Sequence, residues 1–198
     1  MDTMKIAIIG AHGVGKTTLA NALRTRLAGR GFGVISVAPE IPREICSLAS
    51  DPECFRRGEN NALKQALLLF GQLQYEQSFL PRENGVLICD RGVLDLWAYS
   101  RCLFAGEFQA AGVLEVYEAL VAQCARTYRM HFYVPVEFPP SDDGTRESDA
   151  DFQVAIDGTI GDLLAKYAVP YRKTQGSIDE RCVLVETELR GLIASQRE

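Results

Sequence analysis

Residues 10–17 read Gly-Ala-His-Gly-Val-Gly-Lys-Thr, and no other stretch restricts this chain as much. They fit the pattern GxxxxGK[ST] in full. They stand between an apolar run, Met4 to Ile9, and a segment, Thr17 to Leu27, in which Leu19, Leu23 and Leu27 recur at helical spacing. A buried strand that turns through glycines into an amphipathic helix opens a βαβ unit and calls for a parallel sheet. Glycines at 10, 13 and 15 allow backbone angles that side chains forbid, so successive N–H groups can converge on an anion. The helix that follows adds the positive end of its dipole. On this pattern Gly10, His12, Gly13, Val14, Gly15, Lys16, Thr17 and Thr18 are expected to hold the phosphates of ATP. Lys16 would bridge the β- and γ-phosphates, and the Thr17 hydroxyl would join the shell of a magnesium ion. His12 is either a tolerated variable position or a contact to the γ-phosphate or the phosphoryl acceptor.

The rest of the chain repeats the alternation. Strands are expected at Phe32 to Val37, Val86 to Cys89, Met130 to Val134 and, weakly, Pro170 to Thr174. Helices are expected over Asn60 to Leu80, about 94–105, about 110–127 and Ala150 to Tyr167. Ser177 and Glu180 form a capping box ahead of a stripe of Ile178, Cys182, Val185, Leu189 and Leu192, so a last helix is expected there. Reading Cys182 to Val185 as a strand would break that stripe. Residues 135–148 are polar, rich in Pro, Asp and Gly, and without periodicity, as in a mobile lid. There is no internal repeat and no interdomain linker. With 198 residues, 47% of them hydrophobic and 24% charged, residues 1–198 read as a single α/β domain with a buried core.

Charge and composition exclude several partners. A formal net charge of −5 gives no footprint for nucleic acid. No apolar run reaches the roughly 20 residues that span a bilayer, so no membrane partner is expected. Met1 to Lys5 leads straight into the first strand, which reads as no signal peptide and a cytoplasmic location. Six scattered cysteines and two histidines lack metal-site spacing, so no structural zinc is expected and the cysteines read as reduced thiols.

Acidic and basic side chains then cluster where parallel strands end, on one edge of the sheet. Asp90 closes the apolar run Val86 to Cys89. It either holds magnesium through water or takes the proton of an acceptor hydroxyl. Arg91 beside it suits a phosphate or carboxylate held in bidentate fashion. Asp95, one helical turn on, is either a plain helix-face acid or part of the site. Glu40 follows the second strand and is either a general base, a ligand for the acceptor hydroxyl or a solvated loop charge. Arg43 either steers the acceptor or pairs with Glu44. Gln72, Tyr75 and Glu76 either wall an acceptor pocket or belong to the core. Arg146, in Asp142-Asp143-Gly144-Thr145-Arg146, is either a lid arginine that stabilises the transferring phosphoryl group or a surface charge. The backbone around Gly176, in Gln175-Gly176-Ser177 after the fifth strand, is where a nucleotide base would be expected to rest.

Taken together, Gly10–Thr17, Pro39-Glu40 with Arg43-Glu44, Asp90-Arg91-Gly92 with Asp95 and Ala98-Tyr99, Asp142–Arg146, and Gly176-Ser177 with Glu180-Arg181 resemble the P-loop small-molecule kinases. The nearest pattern is the AAA-like ATPase family related to the nicotinamide riboside kinase domain. Asp90-Arg91 followed by Ala98-Tyr99 also looks like the thymidylate kinase pattern, in which Asp95 and Ser100 depart from the usual serine and glutamine. The resemblance implies a three-layer α/β/α fold with a central five-stranded parallel sheet. It implies ATP and Mg2+ as cosubstrates, and phosphoryl transfer to a small hydroxyl or phosphate acceptor.

The expected activity is therefore a kinase acting on a nucleoside or nucleoside-like small molecule, with Lys16, Glu40, Asp90 and Arg146 at the reacting centre. A nucleoside monophosphate kinase is the alternative within that class. A regulatory nucleotide switch is the alternative outside it, and the chain carries neither an Asn-Lys-x-Asp guanine signature nor an Asp-x-x-Gly switch sequence. A homodimer is compatible with the sequence.

Overall fold

In the computed structural model, residues 3–39, 62–81, 84–137 and 150–195 are described. The chain runs β1 (Met4–Ile9), α1 (Lys16–Leu27), β2 (Val34–Ala38), α2 (Ala62–Phe79), β3 (Gly85–Asp90), α3 (Val93–Ala110), α4 (Leu114–Ala125), β4 (Met130–Tyr133), α5 (Ala150–Tyr167), β5 (Tyr171–Lys173) and α6 (Ile178–Ala194). The five strands form one parallel sheet in the order β2-β3-β1-β4-β5. This is the expected α/β fold, with β1 at its centre.

Both faces of the sheet are covered, which explains why its inner strands read as unbroken apolar runs. Side chains alternate across the sheet with period two. Ala7, Ile9, Leu87 and Cys89 pack on one side with Trp97, Val121, Ile156 and Leu163 from α3, α4 and α5. Ile6, Ile8, Val86 and Ile88 pack on the other with Leu19, Leu23 and Leu27 of α1 and Cys182, Val185 and Leu189 of α6. Val14, at the tip of the glycine-rich turn, touches both clusters.

Differences from the sequence reading lie at element ends. β2 begins at Val34, whose N–H takes the Asn84 carbonyl at 3.0 Å, so Phe32 is a buried plug before the strand rather than part of it. The sequence reading ends this helix at about residue 105, just before Gly106. Instead α3 continues to Ala110, because Phe108 is 1% exposed and stacks edge-on to Trp97 (5.4 Å between centroids) and against Tyr117 (4.9 Å). That aromatic packing outweighs the roughly 1 kcal/mol that glycine costs inside a helix. β5 shrinks to three exposed residues, which accounts for its weak apolar signal. Residues 182–185 are helical. Ser177 caps α6 by accepting the Glu180 N–H at 3.3 Å, and Glu180 accepts the Ser177 N–H at 2.8 Å.

Candidate active site

β1 delivers the glycine-rich loop at the carboxyl edge of the sheet, directly beside the end of β3, since Ile8 pairs with Asp90. Gly10 follows β1 so closely that a Cβ there would stand 2.3 Å from the Val134 carbonyl oxygen, which only glycine avoids. Gly15, at φ 89°, caps α1 without a side-chain acceptor. The first N–H groups of α1 therefore stay available to an anion. Thr17 and Thr18 lie exposed in that first turn. Lys16 is 5% exposed and folds back, its Nζ donating to the carbonyls of Gly10 (2.8 Å) and Ala11 (2.5 Å).

Asp90 and Asp95 share this edge but stand in different environments. Asp90 is 3% exposed, and its Oδ1 is buried without a hydrogen-bond partner among the described residues. A bare carboxylate oxygen beside a phosphate-type loop is a fitting donor for a hard divalent cation, which keeps several waters and needs few protein ligands. Among the described residues no group of three or more His, Cys, Asp or Glu side chains gathers around a metal position. Asp95 is fully buried with both oxygens engaged: Oδ1 accepts the Gly10 N–H at 2.9 Å and Oδ2 the Gly92 N–H at 2.8 Å. Burial pushes its carboxyl up, while Lys16, Arg91 and the two amides pull it down. Its visible work is to tie the loop entrance to the start of α3.

Arg91 adopts φ 86°, unusual for a residue with a side chain, and its N–H donates to the Ile8 carbonyl at 3.1 Å. With this backbone turn Arg91 is 7% exposed, and its guanidinium lies 5.4 Å from the centre of the Tyr99 ring. His12 is wedged rather than free: its Nδ1 lies 3.0 Å from the Tyr99 hydroxyl, and its ring stacks 5.9 Å from Phe152. His12, Tyr99, Phe152 and Arg91 thus form a wall between the loop and the ends of α3 and α5. Burial raises the Tyr99 phenol, so it keeps its proton and can donate.

The opposite rim is held by Arg181. Its Nε donates to the Gly176 carbonyl (2.9 Å), one terminal nitrogen to the Val14 carbonyl (3.3 Å) and the other to Glu137 (2.8 Å). Glu137 also accepts the Gly176 N–H at 3.3 Å. Gly176 therefore belongs to the same crevice as the loop. The structure brings together Gly10 to Thr18, Asp90, Arg91, Asp95 and Gly176. Glu40, Arg43 and Arg146 lie outside the described residues. Gln72 and Glu76 are fully buried in a cluster with Lys5 and Tyr128 at the start of β1, away from the crevice. Sequence reasoning gave no individual role to Gln153 of α5, which is 1% exposed and donates from Nε2 to the His12 carbonyl at 2.8 Å. A signal existed: Gln153 is a polar residue on the stripe continued by Ile156, Ile160 and Leu163.

Residues 5–181 match a family described as AAA domain. No curated protein matches the chain. Solved structures that share its fold include the following three. NadR protein in complex with NR has a TM-score of 0.64 at 16% identity, with 88% of this chain and 44% of that one covered. NadR protein in complex with NAD and AMP-PNP gives 0.65 and 16%, with 90% and 48% covered. Thymidylate kinase from Ehrlichia chaffeensis gives 0.64 and 16%, with 96% and 100% covered. The chain spans about half the length of the NadR chains. No helix among the described residues is long and apolar enough to cross a membrane.

Proposed function

The chain belongs to this AAA domain family, and on that premise we propose that it is an ATP- and Mg2+-dependent kinase that phosphorylates a hydroxyl of a nucleoside or nucleoside-like small molecule. One observation carries the reading: the Gly10–Thr17 loop opens beside a buried carboxylate, Asp90, that has an unsatisfied oxygen. A cradle of N–H groups, one ammonium and one waiting carboxylate is the set that phosphoryl transfer requires. The NadR structure with AMP-PNP and the thymidylate kinase structure support it at the level of fold.

In this reading Lys16 leaves the Gly10 and Ala11 carbonyls and meets the β- and γ-phosphates. Thr17 and Asp90 hold the magnesium ion, which when bound neutralises charge developing on the phosphates. Asp90 or Glu40 receives the acceptor proton. Gly176 seats the base, Arg91 and Asp95 face the acceptor side, and Arg43 and Arg146 serve the acceptor and the transferring group. Acceptor, cytoplasmic location and a homodimer are parts of the same proposal.

A second reading, a nucleoside monophosphate acceptor, is favoured by Arg91. A buried guanidinium on a strained backbone, next to Asp90, suits a phosphate dianion.

Calorimetry with ATP, with and without Mg2+, followed by ADP release across nucleosides, nucleoside monophosphates and other hydroxylated molecules, tests the proposal. Absence of Mg2+-dependent affinity overturns it entirely, and affinity without ADP release on any acceptor overturns the kinase half. Lys16→Ala should lower turnover by about 10²-fold or more with the circular-dichroism spectrum unchanged, the scale seen when one preorganised donor is lost. Asp90→Asn should abolish the Mg2+ dependence of binding. Near-normal kinetics in either variant would remove its assigned role.

A further inference from the structure

The carbonyls of the glycine-rich loop are held by side chains, one from the loop itself and two from distant helices. Lys16 takes those of Gly10 and Ala11, Gln153 takes that of His12, and Arg181 takes that of Val14. The described residues contain no cis peptide bond. In a planar trans peptide the C=O and the next N–H point in opposite directions, so fixing one fixes the other. Gln153 therefore sets the direction of the Gly13 N–H, and Arg181 that of the Gly15 N–H. Neither N–H meets an acceptor among the described residues.

This restraint has work to do. Gly13 and Gly15 sit at φ 76° and 89°, and glycine crosses to the opposite sign of φ almost freely. The loop sequence by itself does not pin these two peptide planes. Lys16 cannot serve as the lasting restraint, since the proposed function sends it to the phosphates. Gln153 and Arg181 come from α5 and α6 and have no such second duty. An apolar residue in the buried position of Gln153 would avoid the cost of desolvating an amide, and Gln153 offsets that cost through its bond to the loop. The planar fork of Arg181 spans Val14, Gly176 and Glu137 as one rigid piece.

We propose that Gln153 and Arg181 are positioning residues that hold the loop peptides after His12 and Val14 so that the N–H groups of Gly13 and Gly15 face the β-phosphate of a bound nucleotide, and that Arg181 also fixes the distance from this phosphate seat to the Gly176 turn. This rests on the nucleotide seat proposed above. The donors reach substrate only through the backbone they orient.

The test is calorimetry of the full chain with ADP, pyrophosphate and AMP, alongside thermal melting. Gln153→Leu and Arg181→Met should each weaken ADP and pyrophosphate about tenfold, on the scale of one hydrogen bond to a preorganised group, while AMP changes by less than about threefold. Arg181→Lys, which keeps a donor for Val14, should recover part of the loss for pyrophosphate and less for ADP, because the Gly176 link is broken. ADP and AMP affinities that fall together, or that stay unchanged while melting temperature drops, show a merely structural role and overturn the inference. If Arg181→Met does not fold, the ADP-to-AMP ratio of Gln153→Leu and of Arg181→Lys decides in the same way. A wild-type chain with no affinity for ADP or pyrophosphate overturns the nucleotide seat itself, whereas wild-type binding with unaltered ratios overturns only the positioning role.

Discussion

His131 of β4 has no exposed surface, and its Nδ1 lies 3.2 Å from the Pro170 carbonyl, which fixes the proton on that nitrogen. Burial lowers its pKa to about 4; the Pro170 carbonyl opposes the shift and Lys5 reinforces it. An unfolded histidine titrates near 6.5. Between those values the unfolded chain binds a proton that the folded chain refuses, so stability falls as pH drops from about 6.5 toward 4 and rises again on neutralisation. Unfolding free energies from urea titrations between pH 7 and 4.5 should fall less steeply in His131→Phe than in the wild type, by an amount of order 1 kcal/mol per pH unit. Equal slopes would show that the ring does not titrate as described. Side chains at this scale were only partly legible. The glycines, Lys16 and Asp90 announced themselves through a motif and a strand end. Asp95 did not disclose that both its oxygens serve backbone amides, nor His12 that it is wedged under Tyr99 and Phe152. Gly92 is only three residues from Asp95, but Gly10, Tyr99 and Phe152 lie 85, 87 and 140 residues from the side chains they meet, beyond any periodic pattern.

At the scale of elements, α2 is fastened to β1 by a buried charge pair. Lys5 Nζ lies 2.9 Å from Glu76, and Glu76 also accepts from Gln72 (2.7 Å) and the Tyr128 hydroxyl (2.6 Å). The Lys5 ammonium sits 4.1 Å from the centroid of the Tyr128 ring. Two dehydrated charges gain little over a well-packed apolar pair, yet one left alone is costly. Glu76→Leu should therefore lose about 3–5 kcal/mol in urea unfolding, and the double variant Lys5→Met/Glu76→Leu should regain most of it. A double variant as unstable as the single one would mean the loss comes from packing. Helices and strands were legible here because periodicity of apolar residues reports burial directly. Their ends were not, as at Gly106, where three aromatic rings from two helices decide what a local breaker cannot.

For the molecule as a whole, sequence alternation carried the fold class: each strand and helix in turn needs a covering layer, and two apolar faces of one sheet supply it. The same reading placed the glycine-rich loop, Asp90 and Gly176 on one edge of the sheet, where the structure has them. Glu40, Arg43 and Arg146 lie outside the described residues, and the shape of a pocket beside them depends on how distant helices meet, which no periodic pattern reports. The strand order has a further consequence. β1 is paired on both sides and covered on both faces, so its amides should exchange with deuterium only when the entire domain opens. The loop continues that same strand. A ligand seated there at 100 times its dissociation constant should slow exchange of β1 by about 100-fold, through mass action alone. Deuterium uptake at Ile6 to Ile8 would then serve as an affinity meter for the crevice, read from the deepest point of the domain.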